Sequence, residues 1–159
     1  MNKQVWIEKA LGLGIQEFEI YQSTTVEKEM TWFQGQMDTL VSSKVTGTSI
    51  RGIVDGKMAN MALEEINDDQ CEIILKSLIE QAHIISNEET DSLRKPEPIE
   101  YVKKDVTWNM ASTEYVKDIL QSLEAKILAY DPRVIQVGYL GYSQGSGSRS
   151  IVNSLGMDV

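Results

Sequence analysis

Histidine and cysteine are nearly missing from this chain: 159 residues hold one of each, His83 and Cys71. A single cysteine excludes an internal disulfide and any cysteine-rich metal cluster. A single histidine excludes the two-histidine helical zinc motif and every site that needs a second imidazole. Long apolar runs are missing as well. None approaches the ~20 residues of a membrane span. The opening Met1-Asn2-Lys3-Gln4, followed by Trp6-Ile7-Glu8-Lys9, is too polar for the apolar core of a signal peptide. No membrane association is expected, and the expected compartment is the cytoplasm. Basic charge is in deficit: 15 Lys and Arg stand against 24 Asp and Glu, a net charge of −9. Affinity for DNA begins with neutralising its phosphates, so direct nucleic-acid binding is not expected. The charge serves solubility, and its sharper reading is an acidic surface that mimics DNA or meets a basic partner.

What is present is an ordinary globular composition on a one-domain length. Residues 1–159 suffice to bury roughly 68–70% of the unfolded surface without staples. A first helix is expected over 3–13, with Asn2 as N-cap and Gly12 and Gly14 at its end. The period then changes to two. Phe18 and Ile20 share one face of a strand, with Glu17, Glu19 and Tyr21 on the other. Further strands are expected at Val26–Phe33, Thr39–Val45, Ser49–Val54 and Lys57–Leu63, with turns at Gly35–Asp38 and Gly47. Asp55-Gly56 between apolar stretches is a strong hairpin signal.

A second helix is expected from Asp68 to about Ser86, with the stripe Cys71, Ile74, Leu75, Leu78, Ala82 and Ile85. Residues 87–111 read as a polar linker. A third helix, capped by Ser112 or Thr113, runs to Tyr130 on the stripe Val116, Ile119, Leu120, Leu123, Ile127 and Tyr130, and Asp131-Pro132 stops it. Val134–Tyr142 and Ser148–Asn153 read as a hairpin around Gly145-Ser146-Gly147. The fold class is α+β: an antiparallel sheet with three helices packed on it. Asn153-Ser154-Leu155-Gly156 reads as a turn feeding another strand. The abrupt stop at Val159 leads us to expect a longer parent chain and a sheet edge left unpaired, through which the domain self-associates or which a loop covers.

No catalytic residue emerges from the side-chain chemistry. Cys71 lies on the apolar stripe and His83 well off it, so one helix cannot aim both at one ion; a core cysteine and an exposed histidine are expected. No Gly-x-Ser-x-Gly elbow precedes a helix. Tyr142-Ser143-Gln144-Gly145-Ser146-Gly147 lacks the lysine and the following helix of a phosphate loop. The acidic pairs Glu64-Glu65, Asp68-Asp69 and Glu88-Glu89 sit at loops or helix starts, where capping and solubility account for them. Arg51, a charge inside an otherwise apolar strand, has two readings: an ordinary salt bridge, or a contact to a peptide carboxylate.

The order of motifs carries more than any one of them. Phe18-Glu19-Ile20-Tyr21, Gly35-Gln36-Met37-Asp38, the segment from Ser43 through Gly47 to Arg51, and Val54-Asp55-Gly56-Lys57 follow one another as in the opening of TldD/PmbA proteins. The helix at Asp68–Ser86, Asp131-Pro132-Arg133-Val134 and the closing Asn153-Ser154-Leu155-Gly156 extend the likeness. The chain resembles the N-terminal domain of this family of zinc metallopeptidases, which also carries the label "modulator of DNA gyrase", and it is closer to the PmbA (TldE) branch. Ala59 and Asn60 depart from the glycine and aromatic usual after the Asp-Gly turn.

The resemblance implies a non-catalytic domain that serves subunit assembly and walls a cleft for unfolded peptides. It implies a TldD-like subunit, or self-association, as partner. The family's zinc site, a helical His-Glu-x-x-x-His with a later cysteine, belongs to a TldD-type C-terminal domain that these residues do not include. No cofactor, metal ligand or catalytic residue is therefore expected within this chain, and Arg51 is the one candidate peptide contact. The alternative is a stand-alone acidic protein-binding module.

Overall fold

Asn2 opens the first helix as its sequence position implies. Its side-chain oxygen accepts a hydrogen bond from Val5 N–H, and α1 runs over Lys3–Gly12. The chain then turns through Gly14, whose φ of +93° favours glycine, into strand β1. The computed structural model describes residues 1–64, 66–86, 89–98 and 109–159. Its further elements are β1 (Glu17–Phe33), β2 (Gln36–Val54), β3 (Lys57–Leu63), a 3₁₀ turn (Asp68–Gln70), α2 (Cys71–Ile84), α3 (Thr113–Leu128) and β4 (Leu140–Asn153). The fold is α+β, as expected, with a four-stranded antiparallel sheet in the order β3-β2-β1-β4. No helix among the described residues is long and apolar enough to cross a membrane. Of the expected linker over 87–111, residues 87, 88 and 99–108 lie outside the described residues, as does Glu65.

The strands are fewer and longer than the alternation implied. The two strands expected on either side of Ser23-Thr24-Thr25 are one strand, β1, and the two on either side of Gly47 are one strand, β2. Hydroxyl side chains bridge the supposed breaks: Thr24 and Thr46 hydroxyls lie 3.0 Å apart, and Gln22 Nε2 donates to Thr48 Oγ1 at 3.2 Å. Such cross-strand pairs support a ladder without apolar residues. The hairpin expected around Gly145-Ser146-Gly147 is likewise absent, since these residues lie inside β4. A Cβ at Gly145 would stand 3.3 Å from Glu27 Cγ and 3.4 Å from the Val26 carbonyl. That glycine marks a close approach between strands β4 and β1 rather than a turn.

Two tight turns join the first three strands. Gln34 and Gly35 both have positive φ, +49° and +79°, so the turn falls just ahead of the expected Gly35–Asp38. Asp55 and Gly56 (φ +49° and +73°) form the hairpin that was expected. It sets the β2–β3 register from Val54↔Lys57 to Thr48↔Leu63.

The chain divides into two compact units. Met1–Thr24, Thr46–Tyr101 and Ser148–Val159 form the first, and Thr25–Val45 with Val102–Gly147 the second. The first is built on Trp6 and Ala10 of α1, Phe18 and Ile20 of β1, Ile50 and Val54 of β2, and Cys71, Leu75, Leu78 and Ala82 of α2. The α2 stripe is thus buried along four of its six expected positions. The second unit has a smaller core of Met30, Trp32, Val116 and Leu120, against which Leu140 and Tyr142 pack. In α3 the stripe is narrower than expected. Ile119, Leu123 and Tyr130 are exposed, while Glu124 is buried.

The last three residues return along β4. Ile151 and Val159 exchange both backbone hydrogen bonds, and Asn153 N–H donates to the Met157 carbonyl at 3.0 Å. The unpaired edge expected there is covered over Ile151–Asn153 by the chain itself.

Candidate functional site

Residue alternation along β2 sends Ile50, Gly52 and Val54 toward the helices and Arg51 to the opposite face. On neighbouring β1, Phe18 and Ile20 likewise leave Glu19 on that second face. Arg51 Nε donates to Glu19 Oε1 at 2.9 Å, and Arg51 Nη2 donates to the same oxygen. The carboxylate is 2% exposed, whereas the arginine side chain keeps 44% of its surface in solvent.

Glu19 has a second donor. Asn153, at the end of β4, points Nδ2 at Glu19 Oε2 (3.4 Å) and at the Arg94 carbonyl (2.9 Å). Its Oδ1 accepts from Leu155 N–H and Met157 N–H, each at 3.0 Å. The Asn153 side chain is thus committed on both sides, to the ion pair and to the turn that returns Met157–Val159 along β4.

A chain segment is fastened over the same face. Ser92 Oγ and Leu93 N–H both donate to the Glu17 carboxylate, and Asp91 Oδ2 accepts from Met58 N–H at 3.0 Å. Leu93 is buried beneath this segment. The arrangement is a satisfied polar cluster. It can hold strands together and offer the outer side of a guanidinium to an anion, but it contains no free base or nucleophile.

Of the residues singled out from sequence, only Arg51 joins this cluster. Cys71 is fully buried in the first unit, where burial pushes its thiol pKa up. His83 is exposed, with Nε2 3.7 Å from Asp55 Oδ2. No group of three or more His, Cys, Asp or Glu among the described residues could hold a metal.

Sequence reasoning missed three polar residues: Glu19, Asn153 and Glu124. For Glu124 a signal was there. It follows Val116 and Leu120 at steps of four, so it must sit on the buried stripe of α3. Trp32 Nε1 donates to Glu124 Oε2 at 2.7 Å, and Gly35 N–H donates to Oε1 at 3.2 Å, tying α3 to the β1–β2 turn.

A further feature belongs to β2. β3 pairs only with Thr48–Val54, and in the sheet order no described strand pairs with the other side of residues 36–47. Along that stretch Met37, Leu40, Val41 and Val45 are exposed.

In sequence, residues 18–86 match the family described as PmbA/TldA metallopeptidase domain 1. Comparison with curated protein sequences gave no match. In structure, the chain is similar to TldE from Thermococcus kodakarensis (TM-score 0.81, 19% identity), covering 99% of this chain and 36% of that one. It is similar also to a protein of Thermotoga maritima provisionally described as a modulator of a DNA gyrase (TM-score 0.77, 20% identity, 99% of this chain and 35% of that one). A protein of Bacteroides thetaiotaomicron with the same provisional description gives a TM-score of 0.74 at 18% identity, over 98% of this chain and 36% of that one. The chain spans little more than a third of these structures. The likeness to the first TldD/PmbA domain read from the residues is borne out, by sequence over 18–86 and by fold over nearly the whole chain.

Proposed function

We propose that this chain, as the first domain of a PmbA/TldD-type protein, is a non-catalytic part of a peptidase assembly. It serves subunit association and walls the cleft that holds unfolded peptide, and bond cleavage belongs to a zinc-bearing domain of the TldD type. The observation that carries this reading is the edge of β2 over residues 36–47, which no described strand covers and along which Met37, Leu40, Val41 and Val45 are exposed. A strand edge with unpaired backbone groups and apolar side chains is a template for another extended chain, whether from a subunit or from a peptide. Arg51 fits as a candidate peptide contact, because its guanidinium stays half-exposed while it neutralises Glu19.

The test uses the protein that carries this domain together with a TldD-type subunit. Val41→Lys with Val45→Lys places two charges at exposed positions. The pair should weaken subunit association or peptide turnover about tenfold, near 1.4 kcal/mol, with no change in melting temperature. Undiminished association and turnover would remove the β2 edge from the assembly. The isolated chain, after dialysis, should hold no stoichiometric zinc and cleave no unfolded peptide. Zinc retention or turnover there would overturn the non-catalytic assignment.

A further inference from the structure

Glu124 is 7% exposed, and its two hydrogen-bond donors among the described residues, Trp32 Nε1–H and Gly35 N–H, are both neutral. Among the described residues no Lys, Arg or His stands within ion-pair distance of it. A carboxylate can accept about four hydrogen bonds, so the two donors leave capacity unused. A buried carboxylate is normally matched by a cation as well as by hydrogen bonds, because neutral donors offset only part of the lost hydration.

The same residue lines a cavity of about 370 Å³, at the small end of the ~300–1,000 Å³ typical of ligand sites. Gln34, Gly35 and Gln136 form its polar side with Glu124, and Leu128, Ile135 and Val137 supply apolar wall. Ile135 is 90% exposed although it is a large aliphatic residue. Apolar wall beside a buried carboxylate and amide side chains suits a cation carried on a methylene stem, the amphipathic form of lysine and arginine side chains.

We propose that this cavity of the second unit is a binding site for the side-chain cation of a lysine or arginine on another polypeptide. The ammonium or guanidinium would donate to Glu124, and the stem would lie along Leu128, Ile135 and Val137. Neither the polar cluster at Arg51 nor the edge of β2 takes part, so this site stands or falls apart from the function proposed above.

Trp32 reports on the site directly, since its indole N–H is bonded to Glu124. The experiment titrates the ¹⁵N-labelled chain with n-butylammonium chloride, with n-propylguanidinium chloride and, as the uncharged counterpart, with n-butanol. The Trp32 indole resonance is identified with Trp32→Phe. It should shift saturably with one or both cations and stay still with n-butanol; the two cation arms distinguish a lysine site from an arginine site. Trp6 is the internal control, because its indole N–H is bonded to the more exposed carboxylate of Asp68. Glu124→Gln keeps an acceptor for the Trp32 indole and should abolish the cation response. Ile135→Lys, at an exposed position, should compete through a tethered ammonium and weaken the probe at least tenfold. Equal shifts at Trp6 and Trp32, no saturable shift at Trp32, or a response that survives both substitutions would overturn the site.

Discussion

Arg51 and Glu19 meet across β2 and β1 as an unequal pair, one half in water and the other almost wholly out of it. Removing the arginine strands a buried carboxylate, whereas removing both charges costs only the long 3.4 Å hydrogen bond from Asn153 Nδ2. Breaking a buried pair from one side costs roughly 3–5 kcal/mol, and the exposure of Arg51 moves the expected loss to the low end of that range. Arg51→Leu should therefore lower the urea midpoint sharply. Glu19→Leu combined with Arg51→Leu should recover most of the loss. If Arg51→Leu leaves stability unchanged, the arginine is not holding Glu19, and its exposed side would be the part that matters.

Asn153 supports that pair from behind, and its chemistry is asymmetric. Leu155 and Met157 need its oxygen; Glu19 and the Arg94 carbonyl need its amide hydrogens. Asn153→Asp keeps the first set and turns a second carboxylate toward Glu19. Leaving buried groups unsatisfied costs about 1–3 kcal/mol, and like-charge repulsion adds to it. We expect Asn153→Asp to destabilise at pH 7 and to recover partly as the solution is acidified. A pair of thermal melts at pH 7 and pH 4.5 checks the sign.

How much of this was legible beforehand follows from which signals are local. The caps Asn2 and Ser112, the latter one of the two residues offered for its helix, and the Asp55-Gly56 turn act within a few residues of themselves and are local signals. Gly47 and Gly145 also look like local breaks, yet both lie within strands. Gly145 accommodates a neighbour distant in sequence, Glu27, whereas a Cβ at Gly47 would meet only Ser23 Oγ at 3.7 Å, an ordinary contact. The same limit hid the site. Glu19 reads as one solvent-facing acid of an alternating strand until β2 brings Arg51, and the end of β4 brings Asn153, against it. Arg51 could be singled out because a lone charge among Ile50, Ile53 and Val54 is a local anomaly, although its partner is not.

Asp68 gives the acid limb of stability a specific origin. The hydrogen bond from the Trp6 indole, at 2.8 Å, and then the backbone N–H of Asn2 hold its carboxyl below the ordinary 3.8. A depressed folded value means that the unfolded chain takes up the proton first. The stabilisation is therefore complete above the ordinary carboxylate value and is lost as pH falls through the lower, folded one. Asp68→Asn retains an acceptor for Trp6 and should flatten, without abolishing, the loss of stability below about pH 4. Glu72 and Asp131, lowered by Lys76 and Arg133, account for part of what remains. An acid limb of unchanged steepness in Asp68→Asn would mean that the Trp6 contact does not persist in solution.

Two glycine-to-alanine changes should move stability in opposite directions. Gly52 lies in β2 with its missing side chain directed at the helix layer, where a Cβ would stand 2.9 Å from Leu78 Cδ2 and 3.1 Å from Ile15 Cγ2. Leu78 and Ile15 are both fully buried, so neither can swing aside without disturbing the core. Overpacking of this kind costs roughly 1–3 kcal/mol. Gly12 ends α1 in open space, with nothing within 4 Å of the point where a Cβ would stand, and its φ is not positive. Alanine there restricts mainly the unfolded chain and should stabilise by about 0.4–1 kcal/mol. Urea melts of the two variants at equal slope decide the matter. If Gly52→Ala proves neutral, α2 does not approach β2 as closely in solution as Leu78 does here, and the packing that holds the Arg51 strand in register would need to be redrawn.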